Sequence, residues 1–152
     1  MRVRMSSQRR QPDEPDHRHP NEVKVVLTDA IEGFRHAEKL VMDGLTAHHY
    51  PEASRFAIRL ALEEAVVNAF KHGSKGIANP RVEFGYFVGD HEVFMRVKDP
   101  GPGFKPECLP DPTAPENLER PGGRGVMLMK AFMSRIEYVG CGNEIVMVYS
   151  RP

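Results

Sequence analysis

The chain has 152 residues, enough for one domain with a sizeable core, and its 21 basic and 21 acidic residues cancel. That balance gives no electrostatic reason to expect direct binding to nucleic acid or to an anionic membrane, and no apolar run reaches membrane-spanning length. Cys108 and Cys141 fall in predicted loops without metal-ligand spacing, which argues against a disulfide framework and for reduced thiols in a cytoplasmic protein.

Residues 1–20 are polar, with four arginines ahead of a Pro/Asp/His segment, unlike a secretory signal. They are expected to form a disordered leader before a single domain over residues 21–152. Residues 23–27 read as a strand. Asp29 is placed to cap a helix with Glu32 at its third position, and Ile31, Phe34, Val41 and Leu45 would give that helix its core face.

A second helix follows Pro51 and is expected to end at Gly73. On it Ala57, Ala61, Glu64, Asn68 and Lys71 share one face, while Ile58, Leu62, Ala65, Val66 and Ala69 make a separate apolar stripe. The small side chains beginning the polar face leave room for a ligand. Glu64 and Asn68, four apart, set a carboxylate beside an amide, and such a pair can hold a hydrated divalent metal. A solvated helix face would use the same residue types, so this segment alone does not decide.

Residues 81–88 and 91–98 alternate around Gly89-Asp90, expected to be a two-residue hairpin turn. The second strand runs into Asp99-Pro-Gly-Pro-Gly103. Gly101 and Gly103 let backbone approach a ligand closely, and Asp99 can accept a hydrogen bond from an exocyclic amine; a plain turn has the same composition. Residues 104–121 hold five prolines and no sustained periodicity, a loop long enough to suggest a lid.

Arg120-Pro-Gly-Gly-Arg-Gly125 then opens a helical pattern over 125–133 that begins with Val126. Amides free at a helix start favour an anion, Gly122, Gly123 and Gly125 allow phosphate oxygens close, and Arg120 and Arg124 add positive charge. No Gly-Lys-Ser/Thr follows, so this is not a P-loop. Met127, Met129 and Met133 read as core. Strands over 134–139 and 144–150 flank a turn at Gly140-Cys141-Gly142-Asn143. The expected fold is α/β (α+β), a two-layer sandwich with a mixed, mostly antiparallel sheet of about five strands and helices on one face.

Taken in this order, the Glu64/Asn68 helix, the Asp99 turn and the Gly123/Gly125 loop resemble the ATP site of the GHKL superfamily, whose histidine-kinase-like ATPase domain has the Bergerat fold. The resemblance covers roughly residues 22–150 and points to the serine-kinase branch of anti-sigma factors, in which Asn-Ala-x-x-His-Gly is common, here Asn68, Ala69, His72 and Gly73. It implies that Glu64 is the catalytic base, that Asn68 binds Mg²⁺, that Asp99 contacts the adenine amine with Gly101 and Gly103 beside it, and that Gly123, Gly125 and Val126 flank the phosphates. Arg120 or Arg124 would meet the γ-phosphate, and the sequence does not decide between them. The closing Gly142-Asn143-Glu144 is similar to a Gly-Thr-Glu common in that branch, with Asn143 in place of the Thr.

The resemblance further implies ATP and Mg²⁺ as cofactors, a small STAS-type anti-anti-sigma protein as phosphate acceptor, a sigma factor as the other partner in transcription regulation, and a possible homodimer. Two other readings use the same residues. A histidine-kinase catalytic domain normally follows a helical dimerisation segment, which about twenty residues cannot supply. A non-catalytic ATP-binding module would keep the metal and base contacts without transferring phosphate. His48-His49 and His17/His19 have no partners at metal spacing and read as surface or tail residues, and His72 reads as a helix-terminal hydrogen-bonding residue.

Overall fold

Asp29 starts the first helix as the sequence predicts: its Oδ2 accepts the N–H groups of Ile31 at 3.0 Å and Glu32 at 2.8 Å. Glu32 does not turn back on the cap but pairs with Arg35. The computed structural model describes residues 18–101, 130–140 and 142–152. In chain order these form β1 (Val23–Leu27), α1 (Ala30–Ala47), α2 (Glu52–Lys71), β2 (Val82–Val88), β3 (Glu92–Lys98), β4 (Arg135–Val139) and β5 (Glu144–Ser150). Asp29→Ala should lower stability by about 1 kcal/mol in urea unfolding, the usual cost of a lost N-cap.

The sheet order is β1-β2-β3-β5-β4, and all four pairs are antiparallel, so the mixed component expected of the sheet is absent among the described residues. Alternation along the strands turns Val82, Phe84, Val93, Met95, Val97, Ile145 and Met147 toward the helices, where they pack with Val41, Leu45, Ile58, Leu62 and Val66. The result is the expected two-layer sandwich, with α1 and α2 on one face. α2 comes close because Ala57, Ala61, Ala65 and Ala69 are all buried along it.

Two local expectations are corrected. Ile31 is 66% exposed, and the buried line of α1 is Gly33, Ala37, Val41 and Leu45. At Gly33 an added Cβ would lie 3.0 Å from the Leu27 Cβ, so the helix start rests directly on the end of β1. The β2–β3 hairpin turns one residue later than expected. Val88 pairs with Val93 and the Gly89 N–H donates to the Glu92 carbonyl, which leaves Asp90-His91 as the two central residues.

Contacts from distant residues hold that turn. The Tyr50 hydroxyl donates to the Gly89 carbonyl at 2.6 Å, His48 Nδ1 lies 2.6 Å from Asp90 Oδ1, and Arg151 donates to the carbonyls of Asp90, His48 and His49. The turn between β4 and β5 spans residues 140–143 as expected, and Gly140 and Gly142 have φ of 63° and 91°, which side chains disfavour.

The sheet face opposite the helices is partly covered. His19 stacks on Phe87 with ring centroids 4.1 Å apart, beside a small cluster of Phe94, Val139 and Val146. Next to it Arg96, 1% exposed, donates to Glu22 at 2.7 Å and to Glu83 at 2.6 Å, with Glu144 at 3.7 Å. Gly85, opposite Arg96 in the ladder, makes room for this group: a Cβ there would stand 2.7 Å from the Glu22 carboxyl carbon.

Candidate functional site

The second helix carries Glu64 and Asn68 on its half-buried flank, beside the buried Ala61 and Ala65. Their side chains meet as the spacing predicts, with Asn68 Nδ2 donating to Glu64 Oε1 at 3.3 Å. That bond uses the amide nitrogen and leaves the amide oxygen of Asn68 as a hard acceptor. Glu64 also faces β4. Burial pushes the Tyr138 hydroxyl above its ordinary range, and the negative charge of Glu64 adds to the shift.

The helix ends by folding its last turn onto Asn68. The main-chain carbonyl of Asn68 accepts the N–H of His72 at 2.9 Å and of Gly73 at 3.1 Å, so His72 is the helix-terminal residue the sequence suggests. Ser74, buried just beyond, donates to the Ala69 carbonyl at 2.8 Å. This places Gly73 against the end of β3. A Cβ on Gly73 would overlap the Asp99 carboxyl group, and a Cβ on Gly101 would overlap the Gly73 carbonyl oxygen. The three positions therefore interlock only because two of them lack side chains.

Asp99 is half-buried in this contact. Its Oδ1 accepts the Gly101 N–H at 2.8 Å, but burial outweighs that bond and raises the carboxyl above its ordinary range. A carboxyl held this way, in a niche walled by the Gly73 main chain, is a directional hydrogen-bonding group. Asn143 backs it from the turn just before β5. The Asp99 N–H donates to the Asn143 carbonyl at 2.8 Å, and Asn143 Nδ2 donates to the Asp99 carbonyl at 3.3 Å.

Of the sequence-predicted site residues, Glu64 and Asn68 thus stand at one end of a short path through Gly73 to Asp99 and Gly101. Gly103, Arg120, Gly123, Arg124, Gly125 and Val126 lie outside the described residues, as do Cys108, Cys141 and the loop over 104–121. Residues 130–132 are helical, and Met133 is buried as expected. No group of three His, Cys, Asp or Glu side chains able to hold a metal occurs among the described residues, and none of the described helices is long and apolar enough to cross a membrane.

An open antiparallel sheet is thus backed by two helices, with an acid–amide pair on one helix and a half-buried acid at the end of the central strand β3. A family model described as "Histidine kinase-like ATPase domain" matches residues 27–149, and the chain belongs to that family. Among curated proteins it is similar to the serine-protein kinase RsbW of Listeria monocytogenes serovar 1/2a, 29% identical over 97 residues that make up 59% of this chain and 62% of the relative. The RsbW of Listeria innocua serovar 6a matches with the same identity and coverage. The matched region thus spans 62% of the length of these curated relatives.

Two site features were not read from the sequence. Gly73 was legible as a helix end and as the last residue of the Asn-Ala-x-x-His-Gly motif, but not as a contact of Asp99, because that contact joins residues far apart in the chain. Tyr138 gave no signal beyond its strand alternation.

Proposed function

We propose that the protein is an ATP-dependent protein serine kinase of the anti-sigma type, with Glu64 as catalytic base and Asp99 as the adenine-reading acid. The observation that carries this reading is the interlock of Gly73 with Asp99 and Gly101. It joins the helix bearing Glu64 and Asn68 to the acid at the end of β3, so that one bound molecule can meet both. Membership in the ATPase family and the likeness to RsbW support it.

Asn68 fits a magnesium ion: its amide oxygen is a hard donor, and magnesium takes few protein ligands and the rest from phosphates and water. When bound, Mg²⁺ would offset charge on the phosphates. Glu64 would accept the proton of the acceptor serine as its oxygen bonds to the γ-phosphorus, and the bond from that phosphorus to the departing ADP oxygen breaks with its electron pair leaving on ADP. Arg120 or Arg124, with the amides near Gly123, Gly125 and Val126, would hold the phosphates. Gly101 and Gly103 would let backbone approach the base.

By the same reading the acceptor is a small STAS-type anti-anti-sigma protein, the other partner is a sigma factor, and the protein works in the cytoplasm as a homodimer. Calorimetric titration with ATP, GTP and Mg²⁺ tests the nucleotide half. ATP should bind in preference to GTP, and Asp99→Asn should reduce that preference, because its amide can present a donor where the site needs an acceptor. Absence of binding at millimolar ATP would sink the proposal. Binding without transfer to any serine acceptor would leave a nucleotide-binding module instead.

A further inference from the structure

The register of the sheet puts Asn143 directly opposite Asp99. Lys98 pairs with Glu144 as the last residues of the β3–β5 ladder, and the Asp99 N–H bond to the Asn143 carbonyl adds one rung beyond it. In an antiparallel rung of this kind the return bond ordinarily comes from the partner's main-chain N–H. Here it comes from the side chain, through Asn143 Nδ2 at 3.3 Å from the Asp99 carbonyl. The assignment of the amide nitrogen follows from the acceptor, since a carbonyl oxygen cannot donate.

The next residue is anchored too. Glu144 reaches toward the buried Arg96 at 3.7 Å, and the turn preceding Asn143 is set by the left-handed Gly140 and Gly142. The start of β5 is thereby fixed to β3 through two successive side chains. On the far side, Gly73 and the Gly101 N–H hold the Asp99 carboxyl. The acid is gripped at its main chain by Asn143 and at its side chain by Gly73 and Gly101.

We propose that Asn143 is a positioning residue for base selectivity: its side-chain amide fixes the Asp99 main chain so that the carboxyl keeps one direction toward the purine. This rests on the assignment of Asp99 as the base-reading acid. A residue that only supported the fold would affect binding of the base and of the phosphates alike. One that aims the carboxyl would affect the base alone.

Asn143→Ala removes the donor to the Asp99 carbonyl without adding a charge near the phosphates. In the full-length protein the ATP-to-GTP affinity ratio should narrow by about 3–10-fold, the range expected when one hydrogen bond is lost. Affinity for Mg²⁺-tripolyphosphate, which has no base, should stay at the wild-type value. In the nucleotide-free protein the Gly101 amide, bonded to Asp99 Oδ1, should exchange with solvent faster. If Asn143→Ala does not fold, Asn143→Ser, whose shorter hydroxyl falls short of the carbonyl, carries the same expectations.

A wild type that prefers ATP, with a variant that keeps both the preference and the slow Gly101 exchange, overturns the role of Asn143 and leaves Asp99 in place. A wild type that takes ATP and GTP equally overturns the Asp99 assignment and this proposal with it. Equal losses of ATP and tripolyphosphate binding assign Asn143 a structural role and also overturn the proposal.

Discussion

Glu64→Gln should still bind Mg²⁺-ATP while phosphate transfer to an acceptor serine falls by about 10²–10⁴-fold, the usual contribution of a general base. The substitution keeps an oxygen where Asn68 Nδ2 now donates at 3.3 Å, so the pair survives and only the proton acceptor is lost. Asn68→Ala should show the opposite pattern, losing the metal-dependent part of ATP affinity. Both variants are to be measured for Mg²⁺-ATP binding and for transfer to a cognate anti-anti-sigma-type acceptor. Transfer at the wild-type rate by Glu64→Gln would remove Glu64 as base. A solvated helix face predicts no effect from either change.

The largest expected loss of stability lies on the other side of the sheet. Arg96→Met should cost about 3–5 kcal/mol in urea unfolding at neutral pH, because the Glu22 side chain, 1% exposed, is left as a buried charge without its main partner. Lys24, 3.9 Å from Glu22 and 46% exposed, is too distant and too solvated to replace the guanidinium. The double variant Arg96→Met with Glu22→Leu should recover part of the loss, since it removes the most deeply buried carboxylate while Glu83 and Glu144 still lose their partner. Additive losses in the double variant would show that the cost is packing and not charge.

The same group sets a pH dependence. Burial acts to raise the Glu83 carboxyl, but its hydrogen bond and charge contact with Arg96, helped by Lys24 and Lys98, outweigh burial and hold it below the ordinary carboxylate range. A carboxylate lowered on folding contributes stability above its unfolded pKa, and this contribution fades as pH falls through the folded value. Arg96 is shifted further toward its charged form: burial opposes the charge, and the bonds to Glu22 and Glu83 prevail. It stays cationic throughout the acid range, so the acid weakening follows Glu83.

What could be read from the sequence was local. β1 and β5, the Asp29 cap and the Glu64–Asn68 contact each follow from a spacing of a few residues, and each is found at the expected place. The errors arose where distant residues decide. Ile31 has the right spacing for a core position, but Gly33 lets the helix rest on Leu27 and rotates the buried line away from it. Gly89-Asp90 is good turn chemistry, yet Tyr50, His48 and Arg151 hold the hairpin tip one residue further along.

Arg96 reads in sequence as an ordinary polar member of an alternating strand. Its burial depends on Glu22 from the segment before β1, on Glu83 in the neighbouring strand and on the space left by Gly85. The site divides the same way. The acid–amide pair is local to one helix, whereas the meeting of Gly73, Asp99 and Asn143 joins three regions of the chain and has no local signature.

The β3–β5 ladder has a consequence for how the chain can change over evolutionary time. Lys98 and Glu144 are brought side by side across an intervening stretch of about 45 residues, and closing so long a loop has an entropic cost that grows only logarithmically with its length. Ten residues added to that stretch away from the β4–β5 hairpin would raise the closure cost by about 0.2 kcal/mol, and ten removed would lower it by a similar amount. Chain entropy therefore places almost no constraint on the length of the connection between these two strands. That length can vary while the sheet stays the same, whereas loop closure says nothing of which residues the connection carries.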